Sequence, residues 1–295
     1  MSPLDAPYTA LACLYMHRMA TSAQLHALIG IQRAERTTRL LLHDLSKEGL
    51  VASVELPAGR TKLWLLTPTG RDLCATFPEV REREYPLVAG DTVHLRRRAA
   101  HTLAVLRTHL AFLADGRARG DEYGPLDWEP EVYHRLSDQR ADALIADALM
   151  RYTANGPSGA RRQLRAFVEV DRCTMGSERL ASKLMTYGRF LEYAPVPVAA
   201  GRRQAMAAPM PVWQRYYPVY PRVLFVLTGA SRTVMERRID DLRAMTGANP
   251  LAVRLARQVP LGAAVLEDLE QQGPAAAVWT PVAGEDLEPR GWMDL

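Results

Sequence analysis

Phe167-Val168-Glu169-Val170-Asp171 reads as an apolar β-strand that carries two carboxylates. Successive strand side chains point to opposite faces, so Phe167, Glu169 and Asp171 share one face and Val168 and Val170 the other. Both acids are thereby aimed at one spot on a half-buried strand, where like charges repel. A divalent cation bound through oxygen ligands is the usual compensation. Twelve residues after Asp171, Lys183 falls on a helical pattern, with Tyr187 one turn beyond it.

A third acid, Asp142, opens the strand-like run Ala143-Leu144-Ile145-Ala146-Asp147-Ala148-Leu149 upstream. An acid at a strand start, Glu-x-Asp on the next strand and a lysine on the following helix together resemble the PD-(D/E)XK nuclease superfamily. The resemblance implies Mg2+ or Mn2+ held by Asp142, Glu169 and Asp171, with Glu169 and Lys183 as the catalytic pair beside a scissile phosphate. Two positions depart from the family pattern. Ala141 stands where a proline is usual, and Asp171 stands where the motif has lysine, so a lysine must come from the helix as Lys183.

Only three of the 37 basic residues are lysines, Lys47, Lys62 and Lys183. A lysine kept in an arginine-rich chain hints at a need for a compact ammonium, although an ordinary exposed helix residue is the plainer reading. Charge is also uneven along the chain. Residues 1–130 carry 16 basic and 15 acidic groups, 131–240 carry 17 and 10, and 241–295 carry 4 and 8. The positive excess thus falls on the segment with the candidate metal site, as expected if it faces a polyanion.

The amino-terminal third has its own pattern. A helical run covers Tyr8 to Met19, Thr21 or Ser22 can cap a second helix that Gly30 ends, and a third runs from about Gln32 to Glu48. On the third helix Ala34, Thr38, Leu41 and Leu45 fall on one face, and Gln32, Arg36, Arg39 and His43 on the other. Two strand-like runs follow, Leu50 to Leu56 and Thr61 to Leu66, joined by the turn Pro57-Ala58-Gly59-Arg60. Three helices and a hairpin make a winged helix-turn-helix. In that reading Gln32, Arg33, Arg36, Arg39 and His43 enter the major groove of double-stranded DNA, while Arg60 and Lys62 meet the phosphate backbone. Thr67 and Pro68 begin a closing helix.

A linker is expected at Arg81 to Asp91, dividing a DNA-binding domain, 1–85, from a second domain, 86–295. A long helix from Thr92 to Ala114 follows, with Leu95, Ala99, Leu103, Leu106, Leu110 and Leu113 on its buried side. Its His94, His101 and His109 are seven and eight residues apart, a poor spacing for zinc, and are expected on a solvated or interdomain face. Strands at Leu126 to Tyr133, from Asp142, and at Ala166 to Asp171, a helix from Ser177 to Tyr193 and a strand at Arg222 to Leu227 complete the order αβββαβ. That is the core order of the PD-(D/E)XK fold, within an α/β class overall. Trp213, Arg215, Tyr216, Tyr217 and Tyr220, in the Pro-rich stretch Ala194 to Pro221, could form a stacking surface or pack onto the core. Beyond it, Thr233 to Met245 and Leu261 to Gln271 read as helices, Leu251 to Val259 is ambiguous, and Ala277 to Val282 reads as a strand.

Cys13, Cys74 and Cys173 show no paired spacing, which suggests neither a disulfide framework nor a zinc site and fits a reducing cytoplasm. No run approaches the roughly 18 apolar residues needed to span a bilayer, so no membrane role is expected. With the closing Val278-Trp279-Thr280-Pro281, the whole looks like the replication-relaxation family of bacterial plasmids and mobile elements. Two functions follow from that likeness. One is a Mg2+-dependent DNA endonuclease or nickase. The other is a non-catalytic DNA-binding replication accessory factor or transcriptional regulator on a degenerate nuclease fold. A palindromic target would call for a homodimer.

Overall fold

The computed structural model describes residues 5–30, 34–55, 61–80, 92–137, 139, 142–174, 176–195, 210–284 and 287–295. Gln32, Arg33, Arg60, the expected linker 81–91 and the Pro-rich stretch 196–209 lie outside them. The chain divides into two units, Met1–Pro130 and Glu131–Leu295.

In the first unit, α1 (Ala6–His17) is buried from Thr9 to His17. A short strand β1 (Ala20–Thr21) leads into α2 (Ser22–Ile29), whose start is fixed by a capping box. The Thr21 hydroxyl accepts from the Gln24 amide at 3.2 Å and the Gln24 side chain accepts from the Thr21 amide at 3.1 Å. Gly30, at φ +70°, ends α2 in the left-handed conformation. Next comes α3 (Glu35–Lys47), which buries Thr38, Leu42 and Leu45. Leu42, rather than the expected Leu41, completes this i, i+4, i+7 stripe, and Leu41 is only half-buried. His26 Nδ1 and Thr38 Oγ1, 2.8 Å apart, tie α2 to α3.

Strands β2 (Val51–Glu55) and β3 (Lys62–Leu66) pair as an antiparallel hairpin, and β1 adds to the far side of β3. The next helix, α4 (Pro68–Cys74), is capped by Thr67, whose hydroxyl accepts from the Gly70 amide at 3.0 Å. Gly70 must lack a side chain, since a Cβ there would lie 2.0 Å from the Leu50 carbonyl oxygen. The long helix α5 (Thr92–Arg119) belongs to the same unit. Arg117 donates to the carbonyls of Ala27 and Leu28 at 2.6 and 2.8 Å, supplying partners that the last turn of α2 lacks.

His109 of α5 is fully buried and meets His17 of α1 at 5.1 Å, which excludes the solvated alternative for it. It stacks on Trp128 at 5.1 Å and meets Tyr123 edge-on at 5.4 Å. Burial holds its imidazole well below the ordinary histidine range. The imidazole serves there as a flat, neutral packing group, which helical periodicity alone does not distinguish from an exposed histidine.

The second unit is built on a sheet of order β4-β5-β6-β7-β8-β9. Its strands are β4 (Trp128–Arg135), β5 (Ala143–Asn155), β6 (Arg161–Asp171), β7 (Arg222–Leu227), β8 (Leu261–Val265) and β9 (Thr280–Pro281). Strands β5 and β6 form an antiparallel hairpin, whereas β6–β7 and β7–β8 are parallel. Parallel neighbours need crossovers. The helix α6 (Glu178–Glu192) makes the first, and α7 (Arg232–Ala248) and α8 (Pro250–Gln258) the second. These helices cover a core of Phe167, Tyr187, Phe190, Tyr220, Val223 and Phe225. Mixed α/β class and the expected order αβββαβ are both present.

The reading of one element needs correction. Leu261 to Gln271 is a strand, β8, followed by a helix, α9 (Leu266–Gln272), and not one helix. Its Leu-Gly-Ala-Ala-Val sequence has little β-propensity, and the strand is fixed by burial on both faces between β7 and β9. Of the aromatic stretch, Tyr217 and Tyr220 are buried around Phe167, while Tyr216 is exposed. Packing onto the core is therefore the role of Tyr217 and Tyr220.

Candidate functional site

Glu169 lies on the helix-covered face of β6 and is only 1% exposed. Such burial penalises a carboxylate and pushes Glu169 up to about 8, with Asp147 adding to the rise and Lys183 and Tyr187 opposing it. Tyr187 of α6 donates to Glu169 Oε1 at 2.6 Å. Lys183, one turn earlier on α6, forms an ion pair with Glu169 Oε2 and reaches Asp147 Oδ1 at 3.3 Å. Burial works against the Lys183 ammonium, but Glu169 and Asp147 overcome it and hold its pKa above the ordinary lysine value. A lysine thus sits between two carboxylates, with a phenol closing the cluster.

Asp147 was not singled out by the sequence pattern. Leu149 pairs with Phe167, so two-residue alternation puts Asp147 on the face of Leu149, Phe167 and Glu169. The β5–β6 register runs as far as Ala148↔Val168, and beyond it Asp147 Oδ2 accepts from the Val170 amide at 2.8 Å. Asp147 thus holds the Val170 amide through Oδ2 and leaves Oδ1 for Lys183. The one trace of this role in the sequence is an acid inside an apolar strand run.

The other expected ligands lie elsewhere. Asp142 is ion-paired with Arg189 of α6 at 2.6 Å, and that hydrogen bond holds its carboxyl below the usual range. Asp171 pairs with Arg238 of α7 at 2.6 Å and accepts from the Cys173 amide at 2.9 Å. Glu169 and Asp171 do share a strand face, but helices α6 and α7 give each its own cation. The structure therefore brings Glu169 and Lys183 together and adds Asp147, while Asp142 and Asp171 sit in separate ion pairs. Among the described residues, no group of three His, Cys, Asp or Glu side chains is placed to hold a metal ion. Asp147 and Glu169 still offer two carboxylates. That donor set fits Mg2+ or Mn2+, which is commonly held by one or two carboxylates together with water and substrate oxygens.

A second candidate surface is in the first unit. A groove of about 620 Å3 runs between α3 and the β2–β3 hairpin, lined by Ser22, Glu35, Arg39, His43, Thr61 and Lys62. Arg36, Arg39 and His43 are all exposed on α3, as the amphipathic pattern requires, and Lys62 is exposed at the start of β3. Glu35 accepts from Arg39 at 2.8 Å and holds its guanidinium along the helix. Trp64 donates to Ser22 at 2.9 Å, fixing the hairpin against α2.

The family model described as Replication-relaxation matches residues 11–200. The chain belongs to the replication-relaxation family. In this family member the matched region contains α3, the hairpin and the whole Asp147–Glu169–Lys183–Tyr187 cluster. None of the curated proteins matches the chain. Among solved structures, a doubly substituted variant of Lactococcus lactis ZitR is 19% identical with a TM-score of 0.21. The match covers 24% of this chain and 48% of that one, about half its length. The same variant in apo form is 16% identical, with a TM-score of 0.24 and coverage of 34% and 69%. No helix among the described residues of this replication-relaxation protein is long and apolar enough to cross a membrane.

Proposed function

We propose that this replication-relaxation protein binds double-stranded DNA of a plasmid or mobile element through its first unit, acting as a winged helix-turn-helix. The observation that carries this reading is the groove between α3 and the hairpin, where Arg39, His43 and Lys62 converge. A helix of this kind reaches base edges while the hairpin contacts phosphates. Each phosphate contact releases counterions, so affinity should fall steeply with salt. The double substitution Arg39→Ala/Lys62→Ala is expected to lower the slope of log K against log salt by about 2, one unit per contact. Fluorescence anisotropy with a labelled duplex between 50 and 200 mM salt, the range over which such contacts show, measures it. An unchanged slope and Kd would exclude the groove as the DNA surface.

A second reading is favoured by one observation, the Lys183 ammonium set between Asp147 and Glu169. In that reading the second unit is a PD-(D/E)XK-like domain that nicks DNA. Asp147 and Glu169 would hold Mg2+ or Mn2+, which when bound would supply a Lewis acid at the scissile phosphate. Lys183 would orient water or stabilise developing negative charge, and Tyr187 would fix the Glu169 carboxyl. Supercoiled plasmid incubated with Mg2+ should then be nicked by the wild type and by Asp142→Asn, but not by Glu169→Gln or Asp147→Asn. Nicking that survives Glu169→Gln would exclude this cluster as the cleavage site, and intact plasmid with the wild type would leave a DNA-binding protein on a non-catalytic scaffold.

A further inference from the structure

The β5–β6 hairpin runs past β7, which pairs with β6 only from Ala166 onward. Its register, from Leu149↔Phe167 to Asn155↔Arg161, fixes which side chains share a face. Arg151, Thr153 and Asn155 of β5 lie on one face with Arg165, Gln163 and Arg161 of β6. The opposite face turns inward, with Tyr152 at 2% and Ala154 at 8% exposure. From Leu149 to Arg165 the chain has four arginines and no acidic residue.

Arg151 and Arg165 are directly opposed across the hairpin, although like charges in register destabilise a strand pair. Two guanidinium groups side by side concentrate positive charge on this face, as a polyanion-binding surface requires. The rest of the face is Thr, Asn and Gln, side chains that hydrogen-bond to phosphates and base edges alike. About seven residues per strand give a ribbon of roughly 20 Å, and a two-stranded ribbon fits the major groove.

We infer that the polar face of this ribbon is a second contact surface for double-stranded DNA, separate from the α3 groove. The inference rests on the reading of the protein as a DNA binder. It extends the footprint to the second unit, along the strand that also carries Glu169.

The test compares the full-length protein with the triple variant Arg151→Ala/Arg161→Ala/Arg165→Ala, using a labelled random-sequence duplex of about 30 base pairs. The triple variant should lower the salt slope by about 3 and weaken binding at least about tenfold, and the corresponding lysine variant should restore most of the slope. If the alanine variant does not fold, Arg161→Glu, at the exposed end of the ribbon, should weaken binding on its own. A folded triple variant with wild-type slope and Kd would overturn the inference, as would Arg161→Glu binding like the wild type. Wild type that prefers single-stranded RNA to duplex would overturn the choice of partner. Wild type that binds no duplex would sink the DNA reading and this inference together. Loss of the slope in the ribbon variant but not in Arg39→Ala/Lys62→Ala would sink only the groove.

Discussion

Replacing Lys183 with methionine is expected to destabilise the second unit by about 3 kcal/mol, the cost of breaking a buried ion pair by removing one partner. Lys183 serves Glu169 and Asp147 together, so its loss leaves two carboxylates facing each other in a site that is 1% exposed at Glu169. The loss should also depend on pH. Glu169 is held up at about 8 in the folded protein, above its unfolded value, and removing the ammonium raises it further. A carboxyl with a raised folded pKa binds more protons folded than unfolded, so stability falls as pH rises from the unfolded value through the folded one. Over pH 5 to pH 9 the deficit of Lys183→Met should therefore grow chiefly above about 8, where Glu169 ionises in the wild type but not in the variant. The double variant Glu169→Gln/Lys183→Met, which removes both charges, should recover most of the loss. Urea unfolding combined with hydrogen exchange at the β6 amides measures both effects. A variant as stable as the wild type across that range would show that the ammonium is not the partner of these acids.

Gly70→Ala should be nearly as damaging in the first unit, at about 3 kcal/mol, the upper end for overpacking. A Cβ would lie 2.0 Å from the Leu50 carbonyl oxygen, a backbone atom at the entry to β2. That carbonyl also accepts from the Thr67 amide at 3.0 Å, so it cannot move without loosening the α4 cap. Displacing it shifts the hairpin on which Lys62 stands, and DNA affinity should fall along with stability. Gly247→Ala in α7, where nothing lies within 4 Å of an added Cβ, is the control and should be neutral or slightly stabilising. Equal thermal stability of Gly70→Ala and Gly247→Ala would contradict this account.

What was legible in the sequence was set by local chemistry. The cap of α2, expected at Thr21 or Ser22 and found at Thr21, the cap at Thr67 and the apolar run of β7, Arg222–Leu227, announce themselves in a few residues. Glu169, Lys183 and Tyr187 were likewise visible, because strand alternation and one helical turn place them without knowledge of the rest of the fold. Asp142 and Asp171 illustrate the limit. Which acid meets which cation is decided by where α6 and α7 dock, and Arg189 and Arg238 claimed those two. Strand β8 was hidden for a similar reason, since its small residues form a strand only between two neighbours that are distant in sequence. His109 was hidden because an imidazole has the same periodicity on a wet face as in an aromatic stack.

The phase of Asp147 within β5 has a bearing on how such a protein changes over generations. The acid reaches Lys183 because it lies two residues from Leu149, on the face of Phe167 and Glu169. Gain or loss of a single codon between Asp147 and Leu149 would turn it to the opposite face. Such an in-frame change would separate the two acids while leaving each residue of the cluster in the sequence, which a point substitution of Asp147 or Glu169 would not.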